Sequence, residues 1–271
     1  MRSKIGVVGV GVVGDAVRYG MEKLGHIVKI YDTKFSDTSI NDVLDTDICF
    51  ICVPTPTKDK YECDVSIVES IVCSLNELKY DGIIAIKSTV PPTTTVNLQN
   101  KYNNSKICFV PEFLRERCAV ADFTQNHDLC VIGTQSDEIY DFIKKIHGKY
   151  PESVIKLEPS EAEFVKYYNN IYNACLVVLA NNFYEVCKKL NINYDNVKQA
   201  IIMRKHINDF YLDCNENFRG YAGACLPKDV KTFVHLVKEL NIDADIFEFL
   251  DNENKKYKPT VFQGMRKWRK F

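Results

Sequence analysis

The sequence is poor in the residues that break or extend a chain. Its 271 residues hold only 12 glycines and 9 prolines, too few for a collagen-like or low-complexity protein. An excess of charge of either sign is also missing: 35 basic side chains face 36 acidic ones, a formal net charge of −1. No overall field therefore draws the chain to nucleic acid or to an anionic membrane. No apolar run approaches the roughly 18 residues of a membrane span. Eleven cysteines are too dilute for a disulfide scaffold, and their odd number leaves at least one thiol outside any internal pairing. Met1-Arg-Ser-Lys before an apolar run imitates a short signal peptide, but no small-residue cleavage site follows cleanly. What is there is 46% hydrophobic and 26% charged, enough to build a sizeable core over two ordinary domains. The expectation is a reduced, cytoplasmic, globular protein.

The first part of the chain alternates β-branched runs with amphipathic stretches. Ile5–Val10, His26–Tyr31, Asp47–Val53, Gly82–Lys87, Ile107–Val110 and Leu129–Ile132 read as strands, nearly all apolar as befits parallel strands covered on both faces. Val13–Leu24, Ser66–Leu78 and Thr93–Tyr102 carry helical spacing between them. This alternation predicts an α/β fold: a Rossmann-type, doubly wound parallel sheet over residues 1–156. Beyond it, Ser160 and Glu163 form an S-x-x-E capping box, and no Gly or Pro interrupts the run to about Leu190. A helix of some thirty residues spans about 45 Å, the spine of an all-α domain (157–254) or the seam of a homodimer. A helix near Asp195–Met203 and another near Val230–Leu240 complete that domain. From Lys255 to Phe271 the chain is basic, with Lys255, Lys256, Lys258, Arg266, Lys267, Arg269 and Lys270 and no acidic residue. That tail reads as a solvated end, with an anionic partner as the alternative.

Gly9-Val-Gly11-Val12-Val13-Gly14 closes the first strand and opens the first helix. In that setting Gly9 permits the tight turn, Gly11 lets backbone approach a pyrophosphate, and Gly14 lets helix and strand pack closely. The N–H groups at the helix start then face the phosphates. Asp32 ends the second strand, where a carboxylate binds the adenosine ribose and repels a 2′-phosphate. The cofactor expected is NAD.

Three further groupings carry chemistry. In Gly220-Tyr221-Ala222-Gly223-Ala224-Cys225-Leu-Pro-Lys228-Asp229 a thiol stands just before a helix whose first turn holds Pro227. A helix N-terminus and a nearby ammonium both favour the thiolate, although most cysteines are inert packing. Lys166 and Asn170, four apart, share a helix face and can hold a developing oxyanion; the bland reading is a solvent-facing pair. Finally, the loops holding Thr55, Thr89 and Glu112-Phe113-Leu114-Arg115-Glu116 all follow strands, at the sheet edge where open α/β proteins bind ligands. Cys49 and Cys52 have redox spacing but lie in a buried strand pattern without a second pair, and the five histidines show no ligand spacing, so no metal is expected.

In their order along the chain, GVGVVG, VPTP, KSTVPP, PEFLRE, EAEFVKYYNN and CLPKD resemble the UDP-glucose/GDP-mannose dehydrogenase family. The resemblance covers that family's NAD domain and its helical central domain. It implies oxidation of the C6 alcohol of a nucleotide sugar, UDP-glucose first among them, to the carboxylate with two NAD. It implies Cys225 as the nucleophile of a thiohemiacetal and thioester, and Lys166 and Asn170 as oxyanion donors. Asp229, Thr89 and Glu116 place or activate water, and Lys228 lies near the cofactor. Phe113–Arg115 and the Tyr221–Gly223 loop contact the sugar. Departures from the pattern are Ala222-Gly223 for Gly-Gly, Asn126-His127-Asp128-Leu129 for a Pro/Arg stretch, and Arg204 or His206 near a position normally held by arginine. The family's third, nucleotide-holding domain has no counterpart in this sequence, so the expectation is a compact form completed by a partner. Two competing expectations remain: a non-catalytic, NAD-binding assembly module, and a β-hydroxyacid dehydrogenase, which has no need of Cys225.

Overall fold

The computed structural model describes residues 2–58 and 61–258. It divides into two compact units. Among the described residues the first comprises 2–56 and 63–166, and the second 57–58, 61–62 and 167–258. Seven strands form the sheet of the first unit: β1 (Lys4–Val8), β2 (Ile27–Tyr31), β3 (Ile48–Ile51), β4 (Ile83–Ile86), β5 (Ile107–Phe109), β6 (Leu129–Gly133) and β7 (Ser153–Leu157), in the order β2-β1-β3-β4-β5-β6-β7. All neighbours are parallel except β5 and β6, which meet antiparallel through Phe109 and Gly133. The doubly wound, Rossmann-type parallel sheet expected from the apolar runs is thus present, with one antiparallel neighbour. β7 was not expected at all, because its half-buried sequence lacks the apolar density of the central strands.

Helices α1 (Val12–Lys23), α4 (Ala119–Thr124) and α5 (Asp137–His147) bury residues in one apolar cluster with the sheet, including Val17, Met21, Phe123 and Ile143. Helices α2 (Ser66–Glu77) and α3 (Thr94–Tyr102) contribute to a second cluster, with Val68, Val72 and Leu98. A central strand such as β3 is buried along its whole length, Ile48 to Ile51, which is why it carries no polar residue. The pair Cys49 and Cys52 belongs to this packing; burial pushes both thiols up, Cys52 to about 12. No disulfide joins the cysteines among the described residues.

The long helix α6 runs from Pro159 to Lys189, 31 residues. It does not start on the Ser160–Glu163 box. Glu161 reaches back to the Glu158 N–H at 3.0 Å, while the Glu163 carboxylate caps α3, accepting from the Thr93 and Thr95 N–H groups and from Thr95 Oγ1 at 2.6–2.8 Å. Proline at the first helical position takes over the start signal. Ala162 joins the second apolar cluster, and the division between the two compact units falls at 166/167, inside α6. The remainder of α6 packs with α8 (Leu226–Glu239) and α9 (Ile246–Asn254) around Tyr167, Ile171, Val178, Val230, Phe233 and Leu250, and α7 (Tyr194–Ile201) closes a smaller cluster with Cys187 and Cys214. Among the described residues no helix is long and apolar enough to cross a membrane. Of the basic tail, Lys255 pairs with Asp251 and Lys256 with Glu253, and residues 259–271 lie outside the described residues.

A first prediction concerns acid. His147 is fully buried in α5, and burial pushes its imidazole down to about 3. A histidine held neutral in the fold but ordinary when unfolded contributes stability above about pH 6.5. That contribution is lost as pH falls from there towards 3, at up to about 1.4 kcal/mol per pH unit. Chemical denaturation at pH 5 and pH 7.5 should show this slope, and His147→Phe should flatten it.

Candidate active site

The glycine loop is built as its spacing requires. Gly9 has φ +87°, and a Cβ there would meet the Cys52 carbonyl oxygen at 2.7 Å. A Cβ on Gly14 would sit 1.9 Å from the Gly9 carbonyl oxygen, whereas one on Gly11 would meet nothing within 4 Å. Gly11 thus leaves an open face at the start of α1, and no side chain caps that helix. Its leading N–H groups, those of Val12 and Val13 included, can serve a phosphate. Asp32, nearly buried, accepts from the Val10 N–H at 2.7 Å and the Lys34 N–H at 2.9 Å. The carboxylate therefore sits at the glycine turn, where a dinucleotide's ribose belongs. Asp32→Ala should raise the Kd for NAD about tenfold, roughly 1.4 kcal/mol; unchanged affinity in calorimetry would remove Asp32 from the cofactor site.

At the carboxyl ends of β3 and β4 the loops are tied together. Thr55 Oγ1 donates to the Thr89 carbonyl at 2.8 Å, and Ser88 Oγ to the Val53 carbonyl at 2.7 Å. Thr89 is half-buried and Glu116 exposed. Arg115 does not present an unengaged guanidinium to a sugar: it forms a fork on Asp122, with Nε at 2.9 Å and Nη2 at 2.7 Å. Leu114 packs on the first cluster. Glu112 likewise turns inward, its carboxylate paired with buried Lys87 at 3.2 Å.

Lys166 is 8% exposed and Asn170 4%, so neither is a solvent-facing helix residue. Within the first unit, Lys166 Nζ donates to the Glu112 carbonyl at 2.6 Å and lies 5.5 Å from the Phe113 ring centroid. In the second unit, Asn170 Nδ2 donates to Asp229 Oδ2 at 2.5 Å. Asp229 is fully buried, and Lys228 Nζ stands 2.5 Å from its other oxygen. Three of the singled-out residues thus form one polar group at the start of α8.

Cys225 occupies the N-cap of α8, with Pro227 in the first turn. It is the one exposed cysteine of the eleven. The loop before it is fixed by a residue that pattern reading missed. Asn254 Oδ1 accepts from the Tyr221 N–H at 2.9 Å, and Asn254 Nδ2 donates to the Tyr221 carbonyl at 3.0 Å. The Tyr221 ring is buried in the second unit's core, so it anchors the loop rather than facing a ligand, while Gly223 is exposed at φ +86°. Nothing in the sequence marks Asn254, because its partner is backbone 33 residues away.

A Rossmann-type sheet with this glycine turn and Asp32 defines a dinucleotide-binding protein, here joined to a helical unit that carries an exposed thiol. Comparison with known proteins narrows the class. The family model for the UDP-glucose/GDP-mannose dehydrogenase family, NAD binding domain, matches residues 32–150, and the model for the same family's central domain matches residues 160–256. The chain belongs to the UDP-glucose/GDP-mannose dehydrogenase family, and its first unit carries that family's NAD-binding domain. It is 29% identical over 230 residues to UDP-glucose 6-dehydrogenase of Rickettsia felis, covering 82% of this chain and 50% of that protein. It is 32% identical over 232 residues to UDP-glucose 6-dehydrogenase AglM of Haloferax volcanii, covering 78% and 53%. The structure of a UDP-glucose dehydrogenase from Pyrobaculum islandicum matches with a TM-score of 0.86 at 25% identity, over 94% of this chain and 68% of that one. The chain spans about half the length of the curated relatives it matches.

Proposed function

We propose that the chain oxidises the C6 alcohol of a nucleotide sugar to the carboxylate, with UDP-glucose the first substrate to test. One observation carries this reading: a single exposed thiol, Cys225, stands at the N-cap position of a helix whose first turn supplies Lys228 and Asp229, with Asn170 bonded to that aspartate. The substrate class comes from the relatives named above. Bound NAD supplies the hydride acceptor for both oxidations, held by Gly9, Gly11, Gly14, Asp32 and the first N–H groups of α1.

The chain's own groups do the rest. Cys225 Sγ adds to C6 at the aldehyde level, forming a C–S bond while the carbonyl oxygen takes up negative charge. Asn170 and Lys166 are the donors assigned to that oxygen, and loss of one such donor costs about 2.7–4 kcal/mol in the barrier. After the second oxidation C6 is a thioester. Water then adds, the C–S bond breaks, the carboxylate departs and the thiol recovers its proton. Thr89, Glu116 and Asp229 order that water or accept its proton. The reading includes a cytoplasmic location.

NADH formation with the purified chain tests the reading, first with UDP-glucose and then with other nucleotide sugars. Two NADH per sugar consumed is the expected ratio. No NADH with any sugar, alongside measurable NAD binding, would favour a binding or assembly module.

The reading includes a homodimer along α6. Tyr168, Tyr172, Leu179, Phe183, Val186 and Leu190 are all exposed, at three-, four- and seven-residue spacings that make one continuous apolar stripe. Such a stripe on a soluble surface marks an association site. Phe183→Glu should convert the dimer to monomer in light scattering at micromolar concentration; an unchanged mass would remove this stripe from the interface.

A further inference from the structure

A buried charge cluster in the first unit has no part in the reaction as described so far. Lys87, at the end of β4, is 4% exposed. Its ammonium stands 3.2 Å from Glu112 Oε2 and lies 5.5 and 6.0 Å from the centroids of Phe50 and Phe123. His127 and His147 close the cluster, their rings 6.0 Å apart and 5.4 and 6.0 Å from Phe123. Buried ion pairs contribute little stability beyond what apolar residues of the same shape would give, so the pair calls for another account.

Glu112 provides it. Its Oε1 accepts from the Phe113 N–H at 3.1 Å, and its carbonyl accepts from Lys166 Nζ at 2.6 Å. The Phe113 ring meets the same ammonium. The Glu112–Phe113 peptide is thus gripped by Lys87 through the carboxylate and itself grips Lys166. We propose that Lys87 is a positioning residue: it locks the Glu112 carboxylate, and the peptide so oriented fixes the Lys166 ammonium for catalysis. The catalytic part rests on the role proposed for Lys166.

The surroundings keep the charge on this pair. The titratable groups facing it are His127, His147, Cys52, Cys108 and Cys130. Burial opposes ionisation of Glu112, yet Lys87 and His127 hold its carboxyl below the usual range. Burial pushes both imidazoles down and the three thiols up. At neutral pH these five are uncharged, so a Glu112 carboxylate deprived of Lys87 finds no counter-ion among them; it turns out of the cluster and releases the Phe113 N–H, whereas a neutral glutamine can stay and keep that bond.

The test uses the full chain with 15N-labelled lysine, reading the Lys166 ammonium signal, assigned with Lys166→Arg, together with NADH turnover. Lys87→Met should move or broaden the Lys166 signal and lower kcat at least tenfold, with KM for NAD within twofold. The neutral pair Lys87→Met/Glu112→Gln should return both readouts to within about threefold of wild type. A wild-type Lys166 signal and kcat in Lys87→Met would overturn the proposal, as would a double variant no better than the single one. A merely structural pair would lower the Tm and leave the Lys166 signal where it was. Should Lys87→Met fail to fold, Glu112→Gln reads the same coupling from its other side, with the same two outcomes. If the wild-type chain turns over no sugar, the proposed function fails, and the ammonium signal still decides the coupling.

Discussion

Cys225→Ser is expected to abolish carboxylate formation, with a fall on the order of 10³-fold, about 4 kcal/mol in the barrier, while NAD still binds with wild-type affinity. The serine hydroxyl keeps the N-cap position on α8, and Ser is favoured there, so the fold should hold. What it removes is the sulfur: an alkoxide does not form at neutral pH as a thiolate does at a helix N-terminus. The first oxidation, from alcohol to aldehyde, needs no sulfur, so at most one NADH per sugar should appear. Chromatography of the products distinguishes the cases. Aldehyde or nothing agrees with the covalent route, and carboxylate at the wild-type rate removes it.

The second large effect lies in the first unit. Gly14→Ala would place a methyl group 1.9 Å from the Gly9 carbonyl oxygen and 3.3 Å from Cys52 Cβ. The obstacle is backbone, so no flexible side chain can give way, and α1 must move off β1. Gly9 itself holds φ +87° under the Cys52 carbonyl, which leaves the turn no other conformation to adopt. NAD affinity should fall more than a hundredfold and the Tm by several degrees. Gly11→Ala is the paired control: open space surrounds the added methyl group, so the Tm should stay near wild type while the phosphate approach is obstructed. Equal losses of Tm in both variants would show that the loop is structural and not shaped for a cofactor.

How much of this was legible in the sequence differs from element to element. Central strands and the glycine turn were plain because burial on both faces and a steric need for glycine leave few alternatives. Helix α5 went unread although its signals are ordinary: Ser136 accepts from the Ile139 N–H at 3.2 Å, and Ile139, Ile143 and Ile146 face the core. The antiparallel β6 was illegible, since an apolar strand does not encode its direction. The Ser160–Glu163 pattern misled because Glu163 bonds residues about 70 positions away on α3. At the site, Cys225, Lys228 and Asp229 were visible as a local motif, and Lys166 and Asn170 as a helical pair. That the two are buried, and that they engage different carbonyl and carboxylate partners, depends on tertiary contacts. Lys87, Glu112 and Asn254 show the same limit: each owes its role to a group distant in sequence.

In the proposed reaction Cys225 carries the sugar as a covalent acyl group. Acid-quenching the enzyme with UDP-glucose and NAD within the first turnovers, and weighing the peptide that contains Cys225, tests it directly. Glu116→Gln should slow hydrolysis and raise the yield. A hydroxylamine-labile mass increase on Cys225, equal to the acyl form of the substrate, is expected. Carboxylate production with Cys225 unmodified in both wild type and Glu116→Gln, together with full turnover by Cys225→Ser, would contradict it.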